Sequence, residues 1–204
     1  EEERELTLIL LVDVSGSELF GTDNVLKKNI VTEISATLAF SALQNNDKVG
    51  LILFSDKVEL YIPPSKGKTH VLRIIRELIE FKPMSKKTDI AEALQFLIGV
   101  IKKKSIAFIL SDFLSDEYEK TLKICANKHD VTGIRIYDKM EEIIPNMGIV
   151  PMLDQETDEV KLVDTSSSAL RKKYQSFNMI NSRRFNELFS KNGAGTLNCR
   201  TDES

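Results

Sequence analysis

Histidine and cysteine are scarce in this chain, with two of each in 204 residues. Two cysteines, Cys125 and Cys199, cannot build a disulfide framework, so a reducing, cytosol-like compartment is expected. Two histidines, His70 and His129, leave almost no scope for His/Cys zinc chemistry. A one-signed charge excess is also lacking. The formal net charge is −3, with acids and bases interspersed, which gives no electrostatic footprint for DNA or RNA. The basic runs SKK (85–87) and KKK (102–104) read as solvated loop and helix ends, and MEE (140–142) as a solvated loop. No apolar run approaches the ~20 residues of a membrane span, and no signal peptide is visible. The chain starts EEEREL without methionine. It is expected to be a fragment of a longer protein, cytoplasmic here, whose parent can still carry a membrane anchor.

What is present is an alternation of strands and helices. LTLILLVDV (6–14) is nearly all apolar, as in a central parallel strand covered on both faces. Leu26, Ile30, Ile34 and Leu38 then recur at helical spacing to about residue 44. KVGLILFS is a second strand, and KVELYIPP follows a tight turn at Ser55–Asp56. The short separation predicts an antiparallel hairpin, and the prolines predict an edge strand. A helix is expected over 68–81, and another over TDIAEALQFLIGVIKK with Thr88 at its N-cap. SIAFILSDF (105–113) repeats the opening pattern of an apolar strand ending in an acid. A helix over 116–128 and the strand DVTGIRIYD (130–138) continue the series. IVPMLDQETDEVKLV (149–163) reads as an inserted hairpin, residues 166–190 as a helix with Leu170, Tyr174, Phe177, Phe185 and Leu188 on its core face, and GTLNCRT as a closing strand. The pattern predicts one domain over 1–204: a doubly wound, mostly parallel α/β sheet with one antiparallel edge strand, helices on both faces and a small β-hairpin insertion.

In such sheets ligands lie at the carboxyl ends of the strands, at the topological switch point. Asp13, Ser15, Ser17, Thr88 and Asp112 all follow a strand or open a helix on that presumed edge. They offer two carboxylates and three hydroxyls, a hard donor set that suits Mg²⁺ or Mn²⁺. With so little protein charge the ion would stay electrophilic and accept an outside carboxylate. LVDVSGSELFGT alone does not separate a cation site from a phosphate site or from caps of the next helix, because Ser15 and Ser17 suit all three uses. Thr88 alone suits a cap, and Asp112 alone a loop acid.

Taken in order, DVSGS, TDIAEAL and SDF resemble the metal-ion-dependent adhesion site of von Willebrand factor A domains, with its DxSxS motif, lone threonine and second aspartate. EERELTLILLVDVSGS, GLILFSDKVE, YIPPSKGKTHVLRIIREL, LSDF and IPNMGIVPMLDQETDEV extend the resemblance over most of the chain, to the bacterial DUF58 family. It implies a Rossmann-like A-type sheet. It also implies that Ser15, Ser17 and Thr88 coordinate the ion directly, and that Asp13 and Asp112 act largely through water. An acidic side chain of a protein partner would complete the shell. Genes beside MoxR-type AAA+ ATPases encode similar proteins, which implies a non-enzymatic chaperone or assembly role, and the N-terminal part of such a protein would be missing here. Two departures stand out: Glu18 replaces an apolar residue, and SKKTD replaces a glycine-rich approach to the threonine, setting Lys86 and Lys87 beside the site.

Two other readings use the same residues: a metal-dependent phosphohydrolase working through the carboxylates, and an A-like domain with no ion. Rival chemistries are less well supplied. Ser15 holds the place of the second aspartate that a haloacid-dehalogenase-like enzyme needs, no GxSxG elbow exists, and SGSELFG is poor in glycine for a phosphate cradle.

Overall fold

The structure is a computed structural model that describes residues 5–15, 23–115, 117–154 and 159–202. The strands are β1 (Thr7–Asp13), β2 (Lys48–Phe54), β3 (Val58–Ser65), β4 (Ile106–Ser111), β5 (Asp130–Tyr137), β6 (Ile149–Asp154), β7 (Glu159–Asp164) and β8 (Gly195–Arg200). The helices are α1 (Asp23–Gln44), α2 (Lys68–Glu80), α3 (Ile90–Val100), α4 (Glu119–Lys128), the short α5 (Lys139–Glu142) and α6 (Ser168–Lys191). Six strands form one sheet in the order β3-β2-β1-β4-β5-β8. All pairings are parallel except β2 with β3, the antiparallel edge expected from the short turn and from Pro63 and Pro64. The sequence reading of the fold class holds.

β1 is central because every side chain in its middle is apolar. Ile9, Leu10 and Leu11 have no exposed surface. Alternation then sorts the residues between two cores. Ile9 and Leu11 join Ile52, Phe54 and Ile109 beneath α3, α4 and α6. Leu8, Leu10 and Val12 join Leu51, Leu53 and Leu110 beneath α1 and α2. Each fully buried aliphatic side chain of this kind contributes about 1.5–3 kcal/mol. Gly133 in β5 is small for a packing reason: a Cβ there would lie 2.6 Å from the ring of Phe189 and 2.8 Å from that of Phe185. Those rings meet tilted at 54° with centroids 4.8 Å apart, and Phe113 meets Phe185 at 4.3 Å.

Two helix faces differ from the sequence reading. On α6 the core residues are Phe185 and Phe189, while Phe177 is 56% exposed and the adjacent Asn178 faces inward instead. On α1 Ile30, Ile34 and Leu38 pack against the core as expected, but the fully buried positions are Ser35, Ala39 and Ala42, and Leu26 lies outside. Small side chains let that helix approach the sheet closely.

β6 and β7 form a separate two-stranded antiparallel sheet, as expected of the inserted hairpin. Its anticipated turn, Glu156 to Asp158, lies outside the described residues. Thr165 ties its base together: its N–H and hydroxyl both donate to Gly148 O, at 2.8 and 2.7 Å, and its hydroxyl accepts from Met147 N at 2.9 Å. Among the described residues, no helix is long and apolar enough to cross a membrane.

Candidate metal centre

The chain leaves β1 toward β2 on one side while β4 pairs on the other, so the crevice between β1 and β4 is the switch point. Parallel register aligns the carboxyl ends there: Asp13 stands level with Phe54, and Val12 with Leu110. The first residue past the apolar run of β1 is therefore the first free to turn a polar group into the crevice.

Asp13 is held on both carboxylate oxygens. Oδ1 accepts the Ser15 N–H at 2.9 Å and the Ser15 hydroxyl, and Oδ2 accepts the Ser111 hydroxyl at 2.6 Å. The Ser15 hydroxyl also meets the Thr88 hydroxyl, across 73 positions of sequence. Asp13, Ser15 and Thr88 thus converge. Asp112 turns its Oδ1 to the Leu114 N–H at 3.0 Å and acts on Asp13 as a nearby like charge. Ser17, Gly16 and Glu18 lie outside the described residues.

Thr88 is not the N-cap of α3. Asp89 is, accepting the Glu92 N–H at 3.0 Å. Aspartate is the stronger cap, so the helix starts one residue later and Thr88 is released to face Ser15. Three bonds fix that segment: Asp89 N donates to Ser55 O at 2.8 Å, Ser115 Oγ to Thr88 O at 3.4 Å, and Ile90 N to Ser115 Oγ at 3.4 Å. Glu59 in β3 takes the Ser55 hydroxyl and the Met84 N–H, the latter at 2.9 Å, and so anchors the approach to Thr88 from the sheet edge. Lys86 and Lys87 on that approach are both exposed.

Ser111 is the participant that sequence reasoning missed. It ends β4 immediately before Asp112, and its hydroxyl both donates to Asp13 and accepts the Phe113 N–H at 3.1 Å. The signal was a polar residue closing an otherwise apolar strand beside the acid.

Electrostatically, Asp13 is a strained carboxylate. Burial, then the charge of Asp112, push its pKa from 3.8 up to about 7, against the lowering effect of the Ser111 and Ser15 hydrogen bonds. The donor chemistry, two carboxylates and two hydroxyls, is that of a hard cation's ligands, although among the described residues no group of three or more His, Cys, Asp or Glu side chains is placed to hold a metal ion. The softer groups are elsewhere. His70 Nε2 sits 2.7 Å from Val49 O, His129 Nδ1 accepts Ser105 N at 3.2 Å, and Cys125 is buried with its thiol pushed up to about 12. A cleft of about 330 Å³ adjoins Asp13 and Asp112, walled by Val31, Leu78, Phe81 and Ile136 with Lys27 and Lys28 on its α1 side.

An uncharacterized protein of Mycobacterium tuberculosis and one of Mycobacterium bovis are each 26% identical over 162 residues, covering 78% of this chain and 51% of the relative. The chain spans about half the length of the curated relatives it matches. Among solved structures, the conserved hypothetical protein BatB of Bacteroides thetaiotaomicron aligns with a TM-score of 0.59 at 15% identity, covering 98% of this chain and 91% of its own. An aerotolerance-related membrane protein of Bacteroides fragilis gives 0.60 at 15%, with 97% and 92% covered. Proximal thread matrix protein 1 of the mussel byssus, with a zinc-occupied MIDAS motif, gives 0.52 at 19%, with 65% and 38% covered. These likenesses establish a von Willebrand factor A-like fold. The profile of the family described as "Protein of unknown function DUF58" matches residues 1–184, and this chain belongs to that family.

Proposed function

We propose that this chain is a protein-recognition domain that works through a divalent cation. The ion, Mg²⁺ or Mn²⁺, would be held by Asp13, Ser15, Ser17, Thr88 and Asp112. The convergence of Asp13, Ser15 and Thr88 at the switch point, with Asp112 as a second acid, carries the reading. A cation there relieves the repulsion between the two carboxylates, and bound metal supplies an electrophilic position for a partner's carboxylate. Ser111 and the Ser15 N–H orient Asp13, and the Ser55–Glu59–Asp89 contacts hold Thr88 in place.

The partner we propose is a protein offering an acidic side chain, with a MoxR-type AAA+ ATPase as the candidate and assembly or chaperone work as the setting. The domain is proposed to act without catalysing a reaction itself, in a parent protein that can be membrane-anchored. The test is capture of partners by wild type and Asp13→Ala, each with Mg²⁺ and with chelator. A partner set retained by wild type only with Mg²⁺ supports the reading. Identical sets in all four arms sink it. Asp13-dependent turnover of a phosphoester would replace it with the phosphohydrolase reading.

A further inference from the structure

Arg135 is 3% exposed, on β5 beneath α6. A guanidinium presents five N–H donors and stays charged. Here a single donor, on Nη1, finds an acceptor among the described residues: Ser182 Oγ, at 3.5 Å. The face of Tyr137 lies 4.4 Å from the guanidinium carbon. Among the described residues no carboxylate pairs with Arg135. Arg200, two residues beyond the register partner Asn198 on the next strand, is the contrast: it has Asp202 at 2.5 Å and Glu142 at 3.9 Å. A buried charge without a counter-ion is costly, so a ligand able to supply one gains much from binding there.

The surroundings are donor-rich for a reason that follows from the packing. Phe185 and Phe189 of α6 lie over Gly133. Arg135 is two residues further along the same face of β5, and α6 runs the opposite way, so the helix turn above it is the one carrying Asn178, Asn181 and Ser182. This turn is polar where the next is aromatic. Asn178 is buried, its amide donating to Tyr174 O at 3.3 Å. Asn181 Nδ2 is buried with no hydrogen-bond partner. A cation, an unused amide N–H₂ and a hydroxyl therefore share one layer, with no acid among the described residues to balance them.

We propose that the β5–α6 interface at Arg135 binds a small oxyanion, a phosphate or carboxylate group, with the guanidinium fork as its main contact and Ser182 and Asn181 as flanking donors. The site lies on the α6 side of the sheet and is independent of the cation proposal.

The test is a thermal-shift titration of cation-stripped protein with sodium phosphate and, separately, sodium acetate, against sodium chloride at matched ionic strength. Wild type, Arg135→Gln and Ser182→Ala are compared. Stabilisation by either oxyanion, with an apparent affinity at least tenfold weaker in Arg135→Gln and weakened in Ser182→Ala, supports the site, and the stronger arm identifies the group. Equal responses in wild type and Arg135→Gln overturn it, because a salting effect acts on any fold. Should Arg135→Gln fail to fold, ³¹P line broadening on wild type and Ser182→Ala decides: broadening that the serine substitution reduces supports the site, and its absence or persistence unchanged overturns it.

Discussion

The most exacting test of the site is a pH series on the cation-free protein. Asp13 titrates at about 7 in the folded chain against an ordinary 3.8. A carboxyl whose folded pKa is raised holds its proton longer in the native state than in the unfolded one. Its contribution to stability is therefore undiminished below pH 4 and is lost progressively as pH rises from about 4 to about 7. The gap corresponds to about 4 kcal/mol at neutral pH. Asp13→Asn removes the titration, so the difference in unfolding free energy between wild type and variant should widen over that interval in favour of the variant. Acids with lowered pKa, such as Asp164 beside Ser166, bend both curves in the opposite sense and cancel in the difference. A cation that binds the ionised form must displace the proton. Between pH 8 and pH 6 the ionised fraction drops from about 0.9 to about 0.1, so apparent Mg²⁺ affinity should fall about tenfold. Asp112→Asn should shift that midpoint downward, leaving burial as the remaining upward influence. Chemical denaturation and isothermal titration at five pH values supply the data. A wild-type-minus-variant difference that stays flat from pH 4 to 8 would refute the reasoning.

Other consequences separate neighbouring residues. Thr88→Ala should abolish stabilisation by millimolar Mg²⁺ with little change in the cation-free melting point. Asp89→Ala should do the reverse, losing about 1 kcal/mol of helix cap while keeping the Mg²⁺ shift. Ser111→Ala leaves Asp13 Oδ2 without its hydroxyl donor. It should raise the pH midpoint of Mg²⁺ binding in titrations and cost about 1–3 kcal/mol in denaturant unfolding. Gly133→Ala pushes a methyl into the Phe185 and Phe189 rings and should lower stability by about 1–3 kcal/mol in the same assay, with the Mg²⁺ response intact.

The sheet was legible because its strands are buried on both faces, and a run such as LTLILLV suits few other places. Turn chemistry around Ser55–Asp56 and the Pro63–Pro64 pair located the edge. The site was legible only as a set of segments. Thr88 read as a cap because threonine caps helices, and nothing local reveals that Asp89 outcompetes it. Ser111 was hidden inside SDF, since a strand-ending serine carries no chemistry until its register with Asp13 is known. Phe177 and Phe189 both satisfy helical spacing, and which is buried depends on where α6 ends relative to the sheet. Arg135 sits in an alternating strand pattern that looks unremarkable. That no acid among the described residues pairs with it is a property of three dimensions.

The hydroxyl of Ser111 reaches a carboxylate 98 positions earlier in the chain, and Thr88 meets Ser15 across 73. Contacts of that range close late, because chain entropy opposes them until the central strands have paired. An ion held by such a site arrives after the folding barrier has been crossed. It would then leave the refolding rate almost unchanged and slow unfolding instead, so its benefit to the cell would be persistence of the native state rather than speed in reaching it.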